Sequence, residues 1–347
     1  MGRKLRLLIG IAVGLIAVAW FAHDVDWADL SATLGQVRLG WVAAAALIIL
    51  CESVIRAVRW TVLLRPLGTR ANVTDLFSAT VIGAAMNTLL PLRAGDVAKA
   101  LVASRRTGYP LSAVAATWVM ERVYDILGMS SVLALMVIVL PAGAAAEGEL
   151  VYNLKLYGGF FGFGALAAMA VFFALATRPT AARGGFERIV SIAPRPIADR
   201  FLMLFDGFVA GLGNSRDLRG LAQAGALSVG LWVSLAGAIW CLFRAFDMAL
   251  PFGAACFTGV AVALSVVLPQ APGFIGVFHV AMEKTMLLWG QPAASAQGFA
   301  IVFWAVSFLP VTTVGLIATW REGLSVSALQ RGAVSSRPEP GLESAGS

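Results

Sequence analysis

The sequence predicts an all-α polytopic membrane protein with about six full spans and two re-entrant Pro/Gly hairpins arranged as an inverted repeat. Of its 347 residues, 59% are hydrophobic and 13% are charged, against about 25% charged residues in a typical soluble domain. The apolar residues form long runs instead of being spread evenly. The basic residues collect mostly in short segments between those runs, as the positive-inside rule describes.

The positive net charge of the chain is explained by the predicted membrane topology. A formal net charge of +7 would also suit nucleic-acid binding, but the Lys and Arg residues lie mainly in short loops between apolar runs, which argues against it. The three cysteines, Cys51, Cys241 and Cys256, lie in apolar segments without CxxC spacing, which is typical of small core side chains. We therefore predict no nucleic-acid partner, no metal and no cofactor.

The first apolar run, residues 7–22, follows three basic residues. We interpret it as an uncleaved transmembrane anchor, because further spans follow and no clear cleavage site ends it; a cleavable signal peptide is the alternative. The next loop is acidic and is placed outside. Residues 40 to about 60 return to the inside, where four arginines collect: Arg56, Arg59, Arg65 and Arg70.

Residues 76–90 form an apolar run that is short for a span. At 1.5 Å per residue it would be about 22 Å long, against a hydrocarbon core of about 30 Å. The run ends at Pro91, and the chain then reaches Arg105 and Arg106, which would break the positive-inside rule if they lay outside. A re-entrant hairpin over about residues 76–104, entering from the cytoplasm, satisfies both facts.

The rest of the chain also alternates between apolar runs and charged segments. Residues 178–220 contain seven Arg against four acids, and their apolar residues recur at helical spacing, which predicts an amphipathic cytoplasmic segment over about 195–212. The other predicted full spans are residues 111–140, 154–176, 221–243 and 294–319.

A second apolar run, residues 252–268, ends at Pro269 and is interpreted as a second hairpin over about 252–284, entering from the outside. The run is also long enough to span marginally. Both hairpins have a helix of small residues, a Leu-Pro break and a glycine-bearing tip. Inverted repeats whose broken helices meet near the bilayer midplane are typical of secondary transporters; two chance Pro-Gly breaks are the alternative.

The charge distribution agrees with this topology. Nineteen of the 26 Lys and Arg residues fall in segments placed inside, and four fall outside. Both termini are predicted to be cytoplasmic. Residues 1–324 are predicted to form a single integral membrane domain, and residues 325–347, rich in Ser, Gly and Pro, a disordered cytoplasmic tail.

Several charged residues lie at predicted membrane depth, where each costs about 2.5–3.5 kcal/mol. Glu52 and Arg56 are spaced i,i+4, Glu121 and Asp125 share a helix face, and Arg122 precedes Asp125 by three residues. Such charges must be paired or hydrated. One interpretation is that they only pin the first hairpin against the long helix.

The functional interpretation is a polar path for a charged headgroup. Arg93 and Lys99 would hold a phosphate, aided by free amide groups at the start of the helix after Pro91. The nearby carboxylates would pair these cations or meet an aminated headgroup. In the second hairpin, His279 and Glu283 lie one helical turn apart; a proton relay or a metal site is an alternative there, but one His with one Glu is weak for metal.

These residues resemble the lysylphosphatidylglycerol synthase transmembrane, or flippase-like, family. The resemblance covers about residues 5–322 and rests on four segments in order: Arg56–Trp60, Asn87–Lys99, Glu121–Asp125 and Pro272–His279. The family usually has Glu, Arg, a second Gly and an acid at the positions of Asp96, Lys99, Phe274 and His279. The first two differences keep the charge, whereas the last one leaves the role of the second hairpin open.

The resemblance implies lipid translocation. Family members with a soluble aminoacyltransferase domain make and flip aminoacylated phosphatidylglycerol, and the sequence contains no such domain or catalytic motif, so we expect a non-enzymatic transporter in the bacterial inner membrane. Its partner would be an anionic or aminoacylated phospholipid, a glycolipid or a hopanoid. The residues expected to bind it are Glu52, Arg56, Asn87, Arg93, Asp96, Lys99, Glu121, Arg122, Asp125, Pro272, Gly273, Gly276, His279 and Glu283.

Two alternative functions stay open on the sequence. The first is a membrane-embedded enzyme acting on a lipid headgroup, with Glu121 or Asp125 as acid or base. The second is a non-catalytic accessory protein of a lipid pathway.

Overall fold

The computed structural model describes six stretches of the chain and the single positions 195, 198 and 202; the stretches are residues 25–68, 71–90, 94–139, 179–191, 218–267 and 272–323. Every regular element in these stretches is a helix, as the sequence predicts. The predicted spans 7–22 and 154–176, nearly all of the amphipathic segment and the tail lie outside the described residues.

The described stretches contain ten α-helices, numbered here in chain order: α1 Trp27–Gly35, α2 Leu39–Leu64, α3 Val73–Leu89, α4 Ala94–Thr107, α5 Leu111–Val139, α6 Pro179–Val190, α7 Leu218–Ala245, α8 Phe252–Val267, α9 Val277–Leu288 and α10 Ala293–Arg321. Short 3-10 turns follow α2 and precede α9.

Three of the described helices are long and apolar enough to cross a membrane, over residues 39–67, 219–245 and 293–321. They correspond to three of the predicted spans. At 27 to 29 residues each they are about 40 Å long, which exceeds a hydrocarbon core of about 30 Å. Helix α5 also has 29 residues, and its middle carries the charged residues predicted at membrane depth.

Helix α2 corrects one sequence-based expectation. The helix continues to Leu64, so Arg56 and Arg59 lie within it and not in a cytoplasmic loop. Arg59 is fully buried, and the residues after it, including Trp60, continue a buried face. A charge near the end of an apolar run was taken to mark the start of a loop, whereas the helix continues for five residues after Arg59.

The first hairpin is formed by α3 and α4, which pack directly against each other. Gly83 and Gly95 face one another: a Cβ atom on Gly95 would collide with the Gly83 carbonyl oxygen and with Asn87. At the open end, Arg106 donates hydrogen bonds to Asp75 (2.8 Å) and Glu322 (2.9 Å). The start of α3, the end of α4 and the end of α10 therefore lie together on one side of the protein.

The second hairpin consists of α8 and α9, joined through a glycine-bearing tip. Gly273 and Gly276 have φ of 80° and 94°, which glycine adopts without the steric cost of a side chain. Trp304 of α10 donates a hydrogen bond to the Gly273 carbonyl at 2.7 Å, and the Phe274 ring stacks on Phe308 at 4.8 Å. The tip is thus attached to α10. Re-entry of either hairpin stays a prediction.

Both hairpins pack on α10, which contacts α3 and α9. The second hairpin's tip also contacts α3, so the two hairpins touch each other. The core beneath the second hairpin is aromatic, with Phe243, Phe278, Phe299 and Phe303 all fully buried. Helices α2 and α7 pack along each other beside this core.

We expect Gly95→Ala to destabilise the protein by about 1–3 kcal/mol, because the added methyl group overpacks the contact between α3 and α4. Gly230→Ala in α7 is the matched control, since nothing lies within 4 Å of its added Cβ and alanine favours a helix. Thermal unfolding in detergent, followed by tryptophan fluorescence, measures both. Equal stability of the two variants would contradict the close approach.

Candidate functional site

Arg59 lies at the centre of a buried group of charges. Its Nη1 donates hydrogen bonds to Asp125 Oδ1 at 2.7 Å and to Ser228 Oγ at 2.8 Å. Its Nη2 lies 3.7 Å from Glu121 Oε1. Because these partners lie on α5 and α7, one guanidinium group connects three helices. The side chain is 0% exposed, so its charge depends on these partners for stabilisation.

Lys99 attaches the first hairpin to the same group. Its Nζ lies 2.5 Å from Glu121 Oε2 and 4.2 Å from the ring centroid of Trp60, a cation–π contact. Trp60 in turn donates from Nε1 to Thr117 Oγ1 at 2.9 Å. Lys99 therefore pairs with a carboxylate of α5. The sequence left two roles open for these carboxylates, pairing with the cations or binding an aminated headgroup, and this contact is the first of them.

Two further arginines lie at the edge of this group. Arg56 pairs with Glu52 at 3.7 Å and Arg122 pairs with Asp125 at 3.1 Å, so both pairs predicted from helical spacing form. The Arg56 and Arg122 side chains are 37% and 42% exposed, whereas that of Lys99 is 10% exposed. The cations thus divide into a buried inner pair and an accessible outer pair.

We call these seven residues the ion cluster: Glu52, Arg56, Arg59, Lys99, Glu121, Arg122 and Asp125. Four cations face three carboxylates, which leaves one positive charge unbalanced when all are ionised. Glu121 follows the start of α5 by ten residues, about 15 Å along the helix. The cluster therefore places net positive charge beside the middle of α5.

The first hairpin holds two other predicted site residues against each other. Asn87 of α3 donates a hydrogen bond from Nδ2 to Asp96 Oδ1 of α4 at 3.0 Å, next to the Gly83–Gly95 contact. This bond connects the two helices close to the tip. Arg93, predicted to bind phosphate, lies outside the described residues.

The predicted residues of the second hairpin lie in an aromatic environment. His279 is buried, with its ring 5.7 Å from that of Trp304. Glu283 is also buried and accepts a hydrogen bond from Gln297 Nε2 at 3.1 Å. Pro272, Gly273 and Gly276 form the tip itself. Across the described stretches, no three His, Cys, Asp or Glu residues gather as a metal site would require.

Sequence reasoning missed the central residue of the cluster and three side chains that bond to the predicted site elements. The signal that identifies Arg59 as part of a helix is the apolar pattern that continues after it to Leu64. No comparable signal identifies Ser228, which bonds to Arg59, or Gln297 and Trp304, which bond to the second hairpin. These side chains reach their partners only through the packing of distant helices.

Apolar helices around a buried ion cluster define an α-helical, multi-pass membrane protein. Residues 7–315 match the family described as the lysylphosphatidylglycerol synthase TM region. The chain belongs to this family, which confirms the resemblance seen in the sequence.

Two curated relatives are similar to this chain. One is named glycosyltransferase AglD, from Haloferax volcanii, and is 26% identical over 345 residues, covering 90% of this chain and 54% of the relative. The other is a UPF0104 membrane protein from Methanothermobacter thermautotrophicus, 26% identical over 287 residues, covering 80% of this chain and 81% of the relative. The chain thus spans about half the length of AglD. No solved structure matches it.

We expect Arg59→Met to destabilise the protein by about 3–5 kcal/mol, because it leaves Glu121 and Asp125 with less compensating charge in a buried site. Arg65→Met is the control: this side chain is exposed and bonds to Gln223, so its loss changes the free energy of unfolding by about 0.5 kcal/mol. Chemical unfolding in detergent measures both.

A double variant tests whether the charges act as one network. Arg59→Met combined with Asp125→Asn should cost less than the sum of the two single changes, because the second change removes one of the charges that the first leaves unpaired. Strict additivity would show that the two side chains contribute independently.

Proposed function

We propose that this protein is a flippase-like transporter that moves a lipid with a charged headgroup between the leaflets of the bacterial inner membrane. The observation that carries the proposal is the ion cluster, in which net positive charge at membrane depth is combined with two accessible arginines. Ionisable side chains inside a membrane are costly, and they commonly mark a path for a substrate or an ion.

The accessible arginines are the groups that bind the headgroup in this proposal. A guanidinium group offers several N–H donors in a planar fork that matches a phosphate. Arg56 lies 3.7 Å from Glu52, longer than a hydrogen bond, so a phosphate competes with a weak existing partner. The inner residues Arg59, Lys99 and Glu121 then have a structural role, because they hold in place the helices that carry the outer arginines.

The two hairpins supply the route. Broken helices at membrane depth are tolerated where they are buried in protein or line a wet cavity, and they frequently form transporter sites. The tip of the second hairpin contacts α3 of the first. The headgroup would cross along this junction while the acyl chains stay in the bilayer. The positive-inside distribution supports placing both termini in the cytoplasm.

The headgroup contains a phosphate in this proposal, as in an anionic phospholipid or a phosphate-linked glycolipid. The unbalanced positive charge of the ion cluster supports an anion. The name of the AglD relative, a glycosyltransferase, supports a lipid that carries sugar.

We expect Arg56→Gln and Arg122→Gln each to slow translocation about tenfold or more, since a hydrogen bond to a charged group contributes about 1.5–3 kcal/mol. The assay is lipid exchange between leaflets by purified protein in liposomes, with labelled anionic, zwitterionic, aminoacylated and sugar-bearing lipids. Arg106→Gln is the matched control, because its side chain is 41% exposed but lies at the end of α4, away from the ion cluster.

The control separates a headgroup site from a general charge effect. An equal loss in Arg106→Gln, or full activity in both cluster variants, would contradict the assigned role of the arginines. A folded wild-type protein that moves none of the four lipid classes would contradict the transporter itself.

An enzyme acting on a lipid headgroup is the second candidate, favoured by the name of the AglD relative. Its acid or base would come from Glu121 or Asp125. Both carboxylates are engaged by cations, Glu121 by Lys99 and Asp125 by Arg59, which favours translocation. Mass spectrometry of lipids incubated with the protein distinguishes the two candidates, because only an enzyme changes their covalent structure. A protein that does neither would be the accessory component of a lipid pathway.

A further inference from the structure

Trp118 places an indole N–H group beside the ion cluster. It lies on α5, one helical turn before Arg122, and the guanidinium carbon of Arg122 is 6.0 Å from the centroid of its ring. The Trp118 side chain is partly buried, and its Nε1 atom is buried without a hydrogen-bond acceptor among the described residues. In the same site, Trp60 Nε1 donates to Thr117 Oγ1 at 2.9 Å, which is the usual state of a buried indole. The Trp118 N–H is therefore a donor that calls for a partner.

The same turn of α5 holds two more buried polar atoms that lack a hydrogen-bond partner within the described stretches. Arg122 Nε donates to no acceptor, although Arg122 Nη2 pairs with Asp125 at 3.1 Å. Glu121 Oε1 accepts from no donor. Arg59 Nη2 lies 3.7 Å from this oxygen, which is longer than a hydrogen bond. Residues 118–122 thus combine unused donors with an unused acceptor.

Unused donors and an unused acceptor in one turn match a ligand that both accepts and donates hydrogen bonds. An ionised phosphate oxygen accepts but does not donate, and an ammonium group donates but does not accept. A hydroxyl group does both. A headgroup in which hydroxyl groups adjoin a phosphate therefore fits this turn, with the phosphate at Arg122 and the hydroxyl groups at Trp118 and Glu121.

The spacing and charge of the two outer side chains narrow the class of headgroup. Residues four positions apart lie on one face of a helix, about 6 Å apart along its axis. A phosphate at Arg122 thus leaves the adjoining part of the headgroup next to the Trp118 ring. The guanidinium group already lies beside this ring, and its positive charge disfavours a second cation there. This argues against choline and for a neutral group that carries hydroxyls.

We propose that Trp118 is a specificity-determining residue that recognises a hydroxyl group of the lipid headgroup, next to the phosphate bound by Arg122. The headgroup is a phosphate-linked polyol or sugar. Its hydroxyl groups accept a hydrogen bond from Trp118 Nε1 and donate one to Glu121 Oε1. This inference rests on the proposed function for the phosphate at Arg122, and it adds the residue that selects what the phosphate carries.

Two lipids with the same phosphate charge test this selection. Phosphatidylinositol carries a hydroxylated ring on its phosphodiester, whereas phosphatidylethanol carries an ethyl group in its place. Native mass spectrometry of the purified full chain, titrated with each lipid in detergent, measures the two dissociation constants. We expect the wild type to bind phosphatidylinositol about three- to tenfold more tightly, which corresponds to one neutral hydrogen bond.

Trp118→Phe keeps an aromatic ring beside Arg122 and removes the N–H donor. We expect this variant to bind the two lipids equally, because it loses affinity for phosphatidylinositol and not for phosphatidylethanol. Trp289→Phe is the matched control and should keep the wild-type preference. Trp289 also has a buried Nε1 without an acceptor in the described part of the chain, but its ring packs against Phe257 of α8. Arg122→Gln should weaken the binding of both lipids by the same factor, as a phosphate contact requires.

A wild type that binds both lipids equally would overturn the hydroxyl site, and so would a preference that persists in Trp118→Phe or disappears in Trp289→Phe. An equal loss of affinity for both lipids in Trp118→Phe would overturn it as well, because a side chain that only packs, or that contacts the phosphate, gives that result. Thermal unfolding checks that each variant is folded. The comparison of the two lipids on the wild type tests the headgroup class without any substitution.

Binding and transport are measured separately, so the hydroxyl site and the proposed function can fail independently. A preference that depends on Trp118, without exchange of either lipid between leaflets in liposomes, would support the site and contradict the transporter. Lipid exchange by a wild type that shows no preference would support the transporter and overturn the site. Binding of soluble inositol phosphate as tight as that of phosphatidylinositol would overturn the lipid as the ligand, in favour of a soluble phosphate ester.

Discussion

The burial of the Arg59 guanidinium constrains the rest of the structure. A fully buried cation in an apolar helix is tolerated only where carboxylates and hydrogen-bond acceptors surround it, so Asp125, Glu121 and Ser228 must converge on it from α5 and α7. This requirement sets how α2, α5 and α7 are positioned along one another. Glu121 extends the arrangement by pairing with Lys99, which brings the first hairpin onto the same network.

Stability and function are divided within the ion cluster. The inner charges pair with each other and connect four helices, so their loss affects folding first. The outer arginines, Arg56 and Arg122, are partly exposed and are the headgroup-binding groups of the proposed function. In the second hairpin, by contrast, the buried Glu283 accepts a hydrogen bond from the neutral amide of Gln297.

Local features of the site could be predicted from the sequence. The Glu52–Arg56 and Arg122–Asp125 pairs follow from helical spacing, and the tip of the second hairpin follows from its Pro and Gly residues. Arg59 was not among the residues predicted for the site, because a positive charge near the end of an apolar run usually marks the cytoplasmic surface. Only its partners show that it belongs in the packed interior of the protein, and one of them, Ser228, lies 169 residues away in the chain.

By itself, the sequence determined the all-α membrane class, the family, most of the described helices and the pairs within one helix. These properties depend on hydrophobicity and helical periodicity, which are local in the chain. Only the tertiary structure decided that Arg59 is the centre of the ion cluster, that Lys99 faces Glu121 and that Glu283 meets Gln297. These contacts join different helices, and their geometry depends on how those helices pack, which periodicity does not encode.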